Sequence, residues 1–169
     1  TTALQMLKLA GFPLRAKDRA EDCPIIIGGG PCVFNSEPVA DFFDCFSIGE
    51  GEVCLVEFTK RYIQYKEDCK KQGKAYSKKE FLHIAAKEIK GIYVPSLYEV
   101  SYNDEGIITA IERKYDDIPE KVERCVMTDF DSSYFPEKSP LPYIETVHDR
   151  IMLEVARGCM RGCRFCQAG

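Results

Sequence analysis

Apolar positions along the first half of the chain switch between two rhythms. Leu4, Leu7 and Ala10, with Met6 and Leu9 beside them, keep a helical period over residues 3–10, and Gly11 and Pro13 follow as stop signals. After a polar run over residues 15–22 comes Pro24-Ile25-Ile26-Ile27-Gly28-Gly29-Gly30-Pro31. A β-branched run without alternation predicts a strand buried on both faces, and hence a parallel sheet. The glycines let the backbone turn sharply at the strand's carboxyl end, where open α/β sheets bind ligands. Gly28, Gly29 and Gly30 are therefore candidate cofactor contacts, with a tight ligand-free turn as the competing reading.

Asn35 or Ser36 can cap a short helix over residues 37–43, which returns the chain to a second strand over 45–48. Gly49-Glu50-Gly51-Glu52 then opens a long helix with the stripe Leu55, Phe58, Tyr62, Tyr65 and Cys69, closed by Gly73. The glutamates suit a helix N-terminus better than a pair of catalytic acids. This order of elements predicts a doubly wound α/β domain, with two strands visible and the others expected upstream of Thr1. Ser77 and Glu80 form a capping box for a helix that turns Leu82, Ala85, Ala86 and Ile89 inward and stops at Gly91. His83 flanks that stripe and reads as an ordinary surface or packing residue. Residues 97–102 and 107–113 flank the turn Asn103-Asp104-Glu105-Gly106, a β-hairpin signal. Residues 115–143 read as a proline-rich linker with a short strand over 122–127. A last strand, over 151–156, feeds directly into a cysteine-rich loop.

Composition narrows the classes. The chain has 169 residues, 45% hydrophobic and 30% charged, which is globular composition. A net charge of −4 without a basic block argues against a nucleic-acid footprint, and no apolar run is long enough to cross a membrane. The nine cysteines are odd in number, and six of them (Cys23, Cys32, Cys45, Cys54, Cys69 and Cys125) are scattered singly. They read as small buried hydrophobes in a reducing compartment, which makes the cytoplasm the expected location. A start at Thr1 and a stop three residues beyond Cys166 lead us to expect a segment of a longer protein.

The remaining three cysteines carry the chemistry. Gly158-Cys159-Met160-Arg161-Gly162-Cys163-Arg164-Phe165-Cys166 places three thiols in eight residues, as Cys-x3-Cys-x2-Cys. Three thiolates can hold three corners of a [4Fe–4S] cube and leave one iron open. Gly158 and Gly162 allow the tight backbone this needs, and Arg157, Arg161 and Arg164 would offset the concentrated negative charge. A zinc knot would need a fourth ligand from Cys125 or His148, both distant in sequence. A chance cluster of buried thiols is a third reading, although a loop rich in glycine and arginine makes a poor core.

With an aromatic directly before its last cysteine, the loop resembles the cluster loop of the radical S-adenosylmethionine superfamily. That resemblance implies that Cys159, Cys163 and Cys166 ligate a [4Fe–4S] cluster. It implies that S-adenosylmethionine chelates the open iron and is cleaved reductively to a 5′-deoxyadenosyl radical, with Phe165 near the adenine. It makes the 151–156 segment the first strand of a (β/α) barrel. It also implies an electron donor such as flavodoxin or ferredoxin and a substrate that the resemblance does not name. Upstream, the Gly28–Gly30 loop, Glu37 and the Gly49–Glu52 loop resemble the latter half of the cobalamin-binding-type, Rossmann-like domain that precedes many such barrels. Residues 9–15, 28–35 and 93–98 resemble a bacterial subgroup of these proteins more narrowly. Cobalamin is thereby a further implied cofactor, although the Asp-x-His-x-x-Gly motif of many such domains is absent. The expected organisation is the C-terminal half of that domain over residues 1–73, a helix, hairpin and linker over 74–145, and the start of the radical core over 146–169. A chain of this extent, lacking the rest of a barrel, is expected not to turn over alone. The competing functions are a non-catalytic zinc or iron–sulfur module on an α/β domain, and a cobalamin-like docking domain.

Overall fold

A computed structural model describes residues 2–134, 136, 137, 143–145, 147, 150 and 153–166. The chain divides into two compact units, Thr1–Ser133 and Tyr134–Gly169. The first unit is a mixed α/β structure. Its elements are helix α1 (Thr2–Leu9), strands β1 (Ile27–Gly28) and β2 (Cys45–Ser47), helices α2 (Gly51–Gln72) and α3 (Lys78–Glu88), strand β3 (Ile92–Tyr93), and the hairpin β4 (Tyr98–Tyr102) and β5 (Ile108–Arg113).

β1 and β2 are parallel, with Ile27 opposite Cys45 and Gly28 opposite Phe46, as the unalternated isoleucine run predicts. The ladder itself is short. Ile26 leaves it to donate its N–H to the Asp44 carboxylate at 2.7 Å, while its carbonyl accepts from the Asp44 N–H at 2.9 Å. The helix expected over 37–43 is a 3-10 helix, Glu37–Phe42, with Pro38 near its start. A third strand, β3, pairs antiparallel with β2. It corrects the expectation that only two strands of this sheet lie within the chain. Ile92-Tyr93-Val94, bounded by Gly91 and Pro95, is too short to show a period, although Ile92 and Val94 are almost fully buried.

α2 ends as expected, with Gly73 in the left-handed region (φ 65°) and its N–H shared between the carbonyls of Cys69 and Lys70. Its buried face is Cys54, Phe58, Tyr65 and Cys69. Leu55, expected on the stripe, is 41% exposed because it stands about 100° round the helix from Cys54. At α3 the Ser77 hydroxyl accepts the Glu80 N–H at 3.3 Å, which is half of the capping box; the Glu80 carboxylate instead takes Lys74 Nζ at 2.6 Å. Leu82, Ala85, Ala86 and Ile89 face inward as predicted, joined by Phe81. The Phe81 ring meets those of Phe58 at 5.1 Å and Tyr62 at 5.0 Å, both edge to face, and this seals α2 on α3. Full burial of one such ring contributes about 2–3 kcal/mol.

The hairpin forms in the expected place. Asn103 Oδ1 accepts the N–H groups of Glu105 and Ile107, and Gly106 takes φ 75°. The strand expected over 122–127 contracts to one parallel bridge between Gly49 and Cys125. In the second unit, Ile151 and Met152 lie outside the described residues, and residues 153–156 carry no strand pairing. Among the described residues no helix is long and apolar enough to cross a membrane.

Candidate metal centre

The cysteine loop is built on turns rather than on regular structure. Gly158 (φ 81°) and Gly162 (φ 59°) both occupy the left-handed region, where an L side chain would be strained. Each precedes a cysteine directly, so each reverses the chain immediately before a thiol. The Cys166 N–H bonds the Cys163 carbonyl at 3.0 Å, closing the last turn. Cys159, Cys163 and Cys166 are all exposed and free, and Phe165 is 93% exposed. Arg157 is held by Glu154 through two contacts of 2.9 Å, so it is partly committed within the loop, whereas Arg161 and Arg164 lie on its exposed surface.

Among the described residues no three His, Cys, Asp or Glu side chains stand together as a metal-binding group, the cysteine trio included. Nothing in an open turn draws three thiols toward one another; a metal centre held there would have to supply that convergence on binding. The donor set itself suits a soft iron–sulfur centre, since three accessible sulfurs sit in eight residues on glycine-hinged backbone. Of the fourth ligands a zinc knot would need, Cys125 is buried in the first unit, and His148 lies outside the described residues.

The glycine loop after β1 divides its labour. A β-carbon on Gly28 would stand 2.5 Å from the Phe46 ring, so this glycine makes room for a core aromatic of the neighbouring strand. Gly29 and Gly30 have open space around them, and Gly30 (φ 94°) turns the chain into the 3-10 helix Pro31–Asn35. His83 holds Asp117, with Nε2 3.1 Å from both carboxylate oxygens and Tyr115 edge-on at 4.9 Å, which is the packing role expected of it.

Other polar residues escaped the pattern reading. Arg19, in the run read as a connector, is buried and pairs with Asp44 at 2.9 Å. Tyr93 donates its hydroxyl to Glu37, and burial together with that bond pushes the phenol well above its usual range. Glu50, read as a helix-start acid, accepts the Met127 N–H across the chain. No spacing signal marks these pairs, because each joins residues that are distant in sequence.

Residues 1–95 match a family model described as radical SAM proteins, N-terminal. The matched stretch holds β1, β2, β3, α2 and α3 and stops short of the cysteine loop. An uncharacterized protein of Methanocaldococcus jannaschii, MJ0966, is 26% identical over 157 residues, which is 90% of this chain and 26% of that protein. The chain therefore spans about a quarter of the length of this relative. No solved structure matches the chain.

Proposed function

The chain belongs to the radical SAM N-terminal family, and we propose that it carries the cluster-binding loop of a radical S-adenosylmethionine enzyme. The observation that supports this most directly is the loop itself, with three free, exposed thiols in Cys-x3-Cys-x-Phe-Cys order on glycine-hinged backbone. Cys159, Cys163 and Cys166 would hold three irons of a [4Fe–4S] cluster and leave the fourth to the amino and carboxylate groups of S-adenosylmethionine. When bound, the cluster supplies the electron that cleaves S-adenosylmethionine to methionine and a 5′-deoxyadenosyl radical, after reduction by a donor such as flavodoxin or ferredoxin. Arg161 and Arg164 would offset the charge of the thiolates, and Phe165 would border the adenine. Free thiols of this kind fit a reducing, cytoplasmic setting.

Cobalamin enters as a further cofactor on narrower support. Gly29 and Gly30 leave open space at the carboxyl end of β1, where a cofactor tail would run, while the space beside Gly28 is already taken by Phe46.

Anaerobic reconstitution with iron and sulfide tests the central reading. It should give about four irons per chain and an EPR signal, on reduction, that shifts when S-adenosylmethionine is added. Cys163→Ala should lose that signal. Stoichiometric zinc without iron would make the loop a structural knot instead.

A further inference from the structure

A cleft of about 710 Å³ opens in the first unit, beside the residues that lead into β2 and out of β3. Because β1 and β2 are parallel and β3 is antiparallel, this is the amino end of the parallel pair. The glycine loops after β1 and β2 lie at the other end, so the cleft is separate from the place where the fold would hold a cofactor tail.

Its charges are unevenly satisfied. Each carboxylate on its wall is already engaged. Asp44 pairs with Arg19 and Asp41 with Arg15, Glu37 accepts the Tyr93 hydroxyl, and Glu21 accepts the Lys78 backbone N–H. Three ammonium groups on the same wall, those of Lys17, Lys78 and Lys79, form no ion pair among the described residues. Lys78 is the telling one. It is only 5% exposed, and among the described residues its Nζ donates to a single carbonyl, that of Ala20, at 3.0 Å. An ammonium has three donors, and taking one out of water without a counter-charge is costly. Phe43, Tyr98 and Tyr102 supply apolar surface beside these cations.

We infer that this cleft is a binding site for a small molecule that joins a phosphate or carboxylate group to an apolar body. The anion would complete the shell of Lys78 and draw on Lys17 and Lys79, while the apolar part would lie against the aromatic wall. Every residue of the site belongs to the first unit, and none to the cysteine loop.

Calorimetric titration of the full chain with phenyl phosphate, benzoate, inorganic phosphate and phenol tests this. Phenyl phosphate or benzoate should bind saturably, the tighter of the two identifying the anion. Inorganic phosphate should bind at least about tenfold more weakly, and phenol more weakly still. The double variant Lys17→Glu, Lys79→Glu changes only exposed positions and should weaken the better probe at least about tenfold while the Tm is kept. Lys78→Met should do the same where it folds. Absence of saturable binding by both organic anions, binding of phenol as tight as that of its phosphate ester, or an unchanged affinity in the double variant would each overturn the site.

Discussion

Gly49 and Cys125 approach so closely that a β-carbon on the glycine would stand 2.0 Å from the Cys125 carbonyl oxygen. The contact is a lock. The Cys125 N–H bonds the Ile48 carbonyl at 2.9 Å, its carbonyl accepts from Glu50 N–H at 2.9 Å, and Ile48 N–H bonds Gly91 at 2.7 Å. The segment that leaves the hairpin is thereby sewn to the end of β2 and the start of α2. Gly49 also holds φ 112°, outside the range of L side chains. Gly49→Ala should therefore cost about 2–4 kcal/mol, as backbone strain and a clash with main-chain atoms act together. Urea unfolding reads this as a lower midpoint; an unchanged midpoint would mean that the lock does not form.

The Arg19–Asp44 pair predicts a different response. Its side chains are 0% and 6% exposed, and Asp44 also accepts the Ile26 N–H. Removing one partner strands the other charge in the interior, so Asp44→Ala should lose about 3 kcal/mol, whereas Arg19→Met combined with Asp44→Ala should lose less than the sum of the two single changes. A double-mutant cycle on unfolding free energies measures the coupling. Additive losses would show that the two groups do not depend on each other.

These two contacts mark where reading the sequence stops. The stripe of α2, the inward face of α3, the parallel pairing implied by Ile25–Ile27 and the hairpin at Asn103–Gly106 all follow from period and turn chemistry, which are local properties. β3 did not follow, because two residues carry no period. Arg19 looked like a solvated connector, since nothing near it in sequence announces Asp44. Gly49 and Gly91 looked like a helix start and a helix stop, yet Gly49 is small so that Cys125 can pass, and Gly91 so that the Ile48 carbonyl, with Cys125 behind it, can approach. The spacing of the cysteine loop is likewise a local pattern, and the ligand role proposed for it rests on that spacing.

Alkaline pH should unfold the first unit through its tyrosines. Burial raises the phenols of Tyr65, Tyr76, Tyr93 and Tyr98 above their ordinary range; a bond to Glu37 adds to this at Tyr93, and the Tyr98 hydroxyl donates to the Pro119 carbonyl at 2.8 Å. The folded state keeps these protons longer than the unfolded chain does. Their contribution is then complete below about pH 10, the ordinary tyrosine value, and is lost as pH rises toward the folded values. Tyrosinate absorbance from these four should appear together with the loss of helical circular dichroism. Ionisation of all nine tyrosines while the helix signal persists would contradict this burial.

The nine thiols should separate by reactivity before any metal is added. Cys45, Cys54, Cys69 and Cys125 are at most 5% exposed, and burial also raises the thiols of Cys45, Cys54 and Cys125, so both access and thiolate formation oppose their attack. Cys32, Cys159, Cys163 and Cys166 are exposed and Cys23 is half-buried, which corrects the expectation of burial for Cys23 and Cys32: both sit on irregular or 3-10 segments outside the packed helices and strands. Brief alkylation with iodoacetamide at pH 8, read by peptide mass spectrometry, should therefore label those four first, with the buried set following only in denaturant. Repeating it after anaerobic loading with iron and sulfide separates two claims. Labelling of Cys159, Cys163 and Cys166 should fall at least about tenfold, because a coordinated thiolate is not free to attack, whereas Cys32 should react as before and serve as the internal control. Rapid labelling of Cys54 in the native protein would refute the packing. Undiminished labelling of the trio in a protein that carries iron would refute the ligand assignment, because the metal would then sit elsewhere.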